Sequence, residues 1–170
     1  FLRNVRNQDS VNDLNNLSVR SQFLYTPTDK IAVLMSADYT RQRPNGYAQV
    51  ISGVAPTLRP LNRQYAQMAA AFGYTPPSFN AFDRLIDTDT PWRSTQDMGG
   101  GSVEVDWTIG RGQLTSITAW RYWLWRPSND RDFIGLPITT VSGAPSRQRQ
   151  WTQEVRYADT VNARLNYLLG

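Results

Sequence analysis

The chain has no cysteine and no histidine among its 170 residues. Without cysteine there is no disulfide, no thiol nucleophile and no thiolate zinc site. Without histidine, a catalytic triad that depends on an imidazole base is excluded. Lysine is almost missing as well: all but one of the 18 basic residues are arginine, the exception being Lys30. Arginine favours planar carboxylate and phosphate partners and stacks on aromatic rings. The formal charge of +4 comes without a compact basic run or basic helix, so nucleic acid is not expected as a partner. There is also no run of about 18 apolar residues, which excludes a transmembrane helix but not a membrane barrel, whose strands are only half apolar.

What is present is alternation. Residues 98–126, MGGGSVEVDWTIGRGQLTSITAWRYWLWR, read as two long strands joined at Gly110-Arg111-Gly112. Val103, Val105, Trp107 and Ile109 face one way, and Glu104, Asp106 and Thr108 the other. The return strand puts Leu114, Ser116, Thr118, Trp120, Tyr122 and Leu124 on one face and Arg121 opposite. Strands of soluble sheets are usually about 5–6 residues long; these are long enough for a bilayer, which takes roughly 9–11 tilted residues.

The same pattern recurs along the chain. Leu17 to Thr26 and Ile31 to Thr40 form a second hairpin about Pro27-Thr28-Asp29-Lys30. Trp151 to Tyr157 resumes alternation, and a turn near residues 159–163 leads into Leu165 to Gly170. Phe1 to Val5 reads as the end of a strand, followed by a polar loop over residues 6–16. Residues 41–97 form a long proline-rich excursion with a helix expected over Arg63 to Phe72, ending at Gly73, and another short turn of helix within Phe79 to Ile86. A second long polar segment covers residues 127–150. Short turns thus alternate with long loops, as in an outer-membrane barrel with short periplasmic turns and long extracellular loops. Both ends look cut, so a segment of a longer polypeptide is expected.

Parity sorts the charges. Arg20, Asp38, Glu104, Asp106, Arg121, Glu154 and Arg156 all fall opposite the apolar face and are expected in a barrel lumen. There they pair with one another, contact a plug or line a solute path. Trp107, Trp120, Tyr122, Trp125, Trp151 and Tyr157 are candidate interface anchors, because their rings are apolar and their N–H or O–H groups stay satisfied at the headgroups. Arg41, Arg43, Arg93, Arg147 and Arg149 are candidate loop residues for an anionic ligand or lipopolysaccharide phosphates, and Trp92 is a candidate loop platform for a carbohydrate or siderophore. Glu104 and Asp106 sit too close along one strand, with no evident cleft, to act as a glycosidase pair. No cofactor or metal site is read, since the Asn and Asp clusters at residues 9–16 and 129–132 lack regular ligand spacing.

Several stretches resemble the barrel region of TonB-dependent outer-membrane receptors. They are DTDTPWRSTQDMGGGSVEVDW at 87–107, LTSITAWRYW at 114–123, PSNDRDF at 127–133 and SRQRQWTQEVRYA at 146–158, and NNLSVRSQFLYTPTD at 15–29 is similar to the family's early strands. The resemblance implies an all-β, antiparallel transmembrane barrel of 22 strands. Residues 1–170 would supply about six strands of that one domain, with 41–97 and 127–150 as extracellular loops. It further implies a bacterial outer-membrane transporter, not an enzyme, with TonB-energised uptake of a scarce solute such as an iron-siderophore complex. The partners it implies are outer-membrane lipid, lipopolysaccharide, TonB and a plug domain, with neither the plug nor a TonB box read in these residues. The residues alone leave two other readings open: a passive porin or structural barrel, and a soluble β-sandwich binding module.

Overall fold

The computed structural model describes residues 1–139, 141–162 and 165–170. In chain order its elements are β1 (Leu2–Asn4), β2 (Ser10–Val11), β3 (Asn16–Thr28), β4 (Ile31–Gln42), α1 (Tyr65–Ala71), β5 (Leu85–Ile86), β6 (Arg93–Ile109), β7 (Gly112–Ser128), β8 (Ser146–Asn162) and β9 (Leu165–Leu169). Strand makes up 54% of the chain and helix 8%, which places it in the all-β class.

Two compact units divide the chain. One, the sheet unit, comprises Leu17–Arg41, Gln96–Leu124 and Ser146–Gly170. Its strands belong to an open six-stranded antiparallel sheet in the order β3-β4-β6-β7-β8-β9. Apart from the step over β5, every neighbour in the sheet is the next strand in sequence, so β6 lies between β4 and β7 as a meander requires. Residues 43–92 contribute no strand to this sheet. The hairpin between β6 and β7 closes on two residues, Gly110 and Arg111, with Gly110 at φ +63°. A positive φ at that position matches the right-handed twist of the flanking strands and favours glycine. Asp29 and Lys30 make an equally short connection between β3 and β4. The third turn, expected near 159–163, includes residues outside the described ones; β8 runs to Asn162, and β9 pairs back from Leu165 opposite Asn162 to Leu169 opposite Tyr157.

The strands extend further than apolar alternation alone marks. β6, β7 and β8 are each 17 residues long. Consequently the long connections are 43–92 and 129–145, shorter than the 41–97 and 127–150 read from the sequence. Backbone pairing continues past the apolar residues because ladder hydrogen bonds do not depend on side-chain polarity.

The other unit, the loop unit, comprises Phe1–Asn16, Gln42–Thr95 and Trp125–Pro145. It holds a three-stranded sheet in the order β2-β1-β5, antiparallel between β1 and β2 and parallel between β1 and β5. Val11, Ala48, Ile86 and Trp92 form its core, with Leu2, Val50 and Phe133 packed against them. The expected helix is present as α1, whose C-terminal Gly73 takes φ +63°, the left-handed conformation that ends a helix. In the second expected stretch, Ala81–Asp83 makes one 3₁₀ turn capped by the Asn80 side chain, before β5 begins.

Candidate functional site

Cross-strand hydrogen bonds establish which side chains share a face of the six-stranded sheet. On the polar face Ser18 meets Thr40 at 3.0 Å and Gln22 donates to Ser36 at 3.0 Å. Thr115 donates to Asp106 at 2.5 Å on the same face. Arg121 on β7 donates from both terminal nitrogens to the two oxygens of Asp38 on β4, each at 2.8 Å. Asp38 and Arg121 are separated by the whole of β6, so the arginine arm must cross that strand. It does so at Gly100. A Cβ there would lie 3.0 Å from both Cα and Cγ of Arg121 and against the Trp120 carbonyl oxygen. The missing side chain is the gap through which the guanidinium reaches the carboxylate. Arg20 adjoins the pair and shares its shallow pocket with Ser18, Val19 and Thr40.

Of the seven charged residues expected on one face, Arg20, Asp38 and Arg121 therefore come together in one row. Asp106 is held by Thr115. Glu154 accepts from Arg156 at 3.3 Å along β8. Glu104 is half-buried.

The opposite face is apolar and exposed. Val19, Phe23, Val103, Trp107, Trp120 and Trp151 range from 40% exposed at Val103 to 66% at Trp151. Trp120 and Tyr122 pack at 5.4 Å between ring centres. Gln153, near the middle of β8, accepts from Thr118 at 2.5 Å and donates to Ser116 at 3.0 Å and to the Glu154 carbonyl at 3.2 Å. Its amide is thus satisfied without water. Toward the short-turn end Tyr157 and Tyr167 both donate to Asp159, at 3.3 and 3.4 Å. At the other end Tyr39 donates to Asp97 at 2.9 Å. Trp125 departs from the other five aromatics. Its odd number in β7 sets it on the side of Arg121, and its indole N–H donates to Ser94 at 2.9 Å.

The loop unit carries a cavity of about 480 Å³, lined among others by Asn4, Arg6, Asp9, Asn45, Asp89 and Arg93. One wall is fixed by a buried network. Asn4 donates to the Thr88 carbonyl at 2.9 Å and Trp92 donates to the Thr88 hydroxyl at 2.8 Å. The Trp92 ring lies 6.0 Å from Phe133 and is only 6% exposed. Of the residues singled out as ligand contacts, Trp92 is thus a core residue, while Arg93 lines the cavity. Arg41 lies in β4, and Arg147 and Arg149 lie in β8 rather than in a loop. Asp89 also lines this cavity, and one of its carboxylate oxygens is buried without a hydrogen-bond partner among the described residues. Guanidinium donors and carboxylate acceptors, with amides between them, suit a hydrogen-bonding ligand more than a highly charged one.

Beside the cavity the turn after β7 is organised by Asp130, fully buried. It accepts backbone N–H groups of Asp89 at 3.3 Å, Asp132 at 3.2 Å and Phe133 at 3.1 Å. Burial pushes its carboxyl up to about 6, and the nearby Asp132 adds to the effect. Burial likewise pushes the Tyr74 hydroxyl up to about 12, against a lowering from the Gly135 N–H that it accepts at 3.5 Å.

Sequence reading missed Asp97, Asp159, Trp123 and Gln153. Parity alone could have marked the two acids, which lie on the apolar face only beyond its uncharged span. Trp123 donates to Gln96 at 2.9 Å, and no periodic signal distinguishes such a pair. No protein-family model, no curated protein and no solved structure matches this chain.

Proposed function

We propose that this chain is a wall segment of a bacterial outer-membrane barrel, acting in a TonB-dependent receptor that imports a scarce solute and performs no chemistry on it. The observation that carries the reading is the exposed apolar face of a sheet whose longest strands run to 17 residues. On β8 that face holds Trp151, Gln153, Val155 and Tyr157 between Arg149 and Asp159. About ten residues at roughly 3.4 Å each, tilted by about 40°, give roughly 25 Å, the height of a barrel's apolar band. On β6 the same face carries no charge between Asp97 and Ile109, and on β7 none before Arg126.

In this reading the row of Arg20, Asp38 and Arg121 faces the lumen, where a plug or solute passes. Connections 43–92 and 129–145 stand outside the cell, and the loop-unit cavity is a first contact for the solute. A passive porin would share the wall but not the dependence on TonB. The test uses the full-length protein in outer-membrane fractions. A heat-modifiable band and uptake that disappears in cells lacking TonB support the proposal. Recovery as a soluble protein without detergent would overturn it in favour of a β-sandwich, and TonB-independent uptake would favour a porin.

A further inference from the structure

Gln153 fixes the orientation of β8, because it bonds to Ser116 and Thr118 on the apolar face of β7. Arg147 and Arg149 share its parity, so they too stand on the apolar face. There they line a shallow, largely apolar groove of about 310 Å³ with Trp120, Tyr122 and Leu124. Two guanidinium groups on an aromatic, hydrophobic surface are an unusual combination, since charge is normally kept off such a face. Neither arginine has a carboxylate partner among the described residues. Successive same-face positions on a strand are about 7 Å apart, close enough for both groups to reach the oxygens of one phosphate. Their position matters as much as their charge. They sit where the uncharged span of β8 ends, opposite in sense to Asp159 at the other end.

We propose that Arg147 and Arg149, with Trp120 and Tyr122, form a binding site for the phosphate-bearing head of a membrane lipid, whose acyl chains lie along the apolar face beside them. A soluble anion would find the two arginines but has no use for the aromatic groove. An amphiphile uses both halves: phosphate on the guanidinium forks, hydrocarbon on Trp120 and Leu124. This inference rests on the membrane reading above and adds to it a lipid class and a place.

The test reconstitutes the full chain in phosphatidylcholine vesicles and compares quenching of tryptophan emission by brominated phosphatidylcholine and brominated phosphatidic acid at equal mole fraction. Both lipids should quench, with phosphatidic acid favoured by roughly thirtyfold, about fivefold for each of the two basic side chains at a lipid surface. That preference should fall to none in the double variant Arg147→Gln/Arg149→Gln, and the excess quenching should be absent in Trp120→Phe. If the double variant does not insert, Arg149→Gln alone should at least halve the preference. No quenching by brominated phosphatidylcholine would overturn the membrane reading and the site together. Equal quenching by the two lipids would overturn the site and leave the membrane reading standing. A preference that survives both arginine substitutions places the lipid elsewhere and refutes the assignment. So does a preference abolished by millimolar inorganic phosphate, which would make this a site for free anions.

Discussion

Arg121 grips Asp38 through two parallel hydrogen bonds of 2.8 Å, although β6 lies between their strands. The side chains are 53% and 29% exposed, so water screens the attraction, and its worth lies in geometry as much as energy. A bidentate fork holds three strands in one register at the level of Gly100.

The first prediction concerns that register. Asp38→Ala and Arg121→Ala should each destabilise the folded chain, with a coupling of about 1 kcal/mol or less in a double-mutant cycle. Gly100→Val should remove most of the coupling without touching either charge, because its side chain occupies the path of Arg121. Denaturant unfolding of the four cycle members, repeated in the Gly100→Val background, measures this. A coupling unchanged by valine would mean that the arginine has another route.

A second prediction follows from the two faces. Val105 and Asp106 are neighbours in β6 with opposite orientation. In the proposed membrane setting Val105→Arg puts a cation against hydrocarbon and should impair assembly by about 2–4 kcal/mol if it lies near the midplane. Asp106→Asn should assemble normally, because Thr115 can still donate to the amide oxygen. The amount of heat-modifiable barrel for each variant decides it. Normal assembly of Val105→Arg with failure of Asp106→Asn would reverse the assigned faces.

Topology gives a third. In the proposed membrane setting, cysteines at Ser78→Cys and Ser142→Cys should react with an impermeant maleimide on intact cells, while Thr28→Cys stays protected until the cells are lysed. Both long connections leave strand ends opposite the short Asp29-Lys30 turn. Labelling at residue 28 alone would invert the orientation.

The fourth prediction is a pH dependence in the loop unit. The Asp130 carboxyl titrates near 6 in the fold against 3.8 in its ordinary state. Between those values the folded state binds more protons than the unfolded one, so stability falls as pH rises through the window. The stabilisation is complete below pH 3.8 and lost above about 6, and amounts to at most about 3 kcal/mol. Hydrogen exchange over residues 129–139 should therefore quicken between pH 4 and 6 beyond its intrinsic chemical increase. Asp130→Asn should abolish that excess, since its carboxamide does not titrate.

Much of the sheet was legible in the sequence because side-chain alternation is a local property. Val103 to Ile109 needs no partner to show its period of two, and the glycine at 110 announces the turn on its own. The sequential order β3-β4-β6-β7 followed from the same reasoning, since residues 43–92 offer no further alternating run. By contrast β1, β2 and β5 are two or three residues long, too short to display any period. Strand character at Phe1 to Val5 was readable, but its parallel pairing with Leu85 and Ile86 was not.

The sequence by itself determined the alternating cores of the long strands and which of their residues share a face, because both depend on neighbours a few positions away. How far each strand extends beyond its core was left to backbone pairing. Tertiary structure decided what those residues meet. Trp92 became core because Thr88 and Phe133 close around it, while Arg147 and Arg149 became part of a wall because β8 starts at Ser146. Asp38 and Arg121 stand 83 positions apart, and no local pattern encodes a contact over that separation. It exists because pairing through β6 aligns the two, and because the residue between them has no side chain.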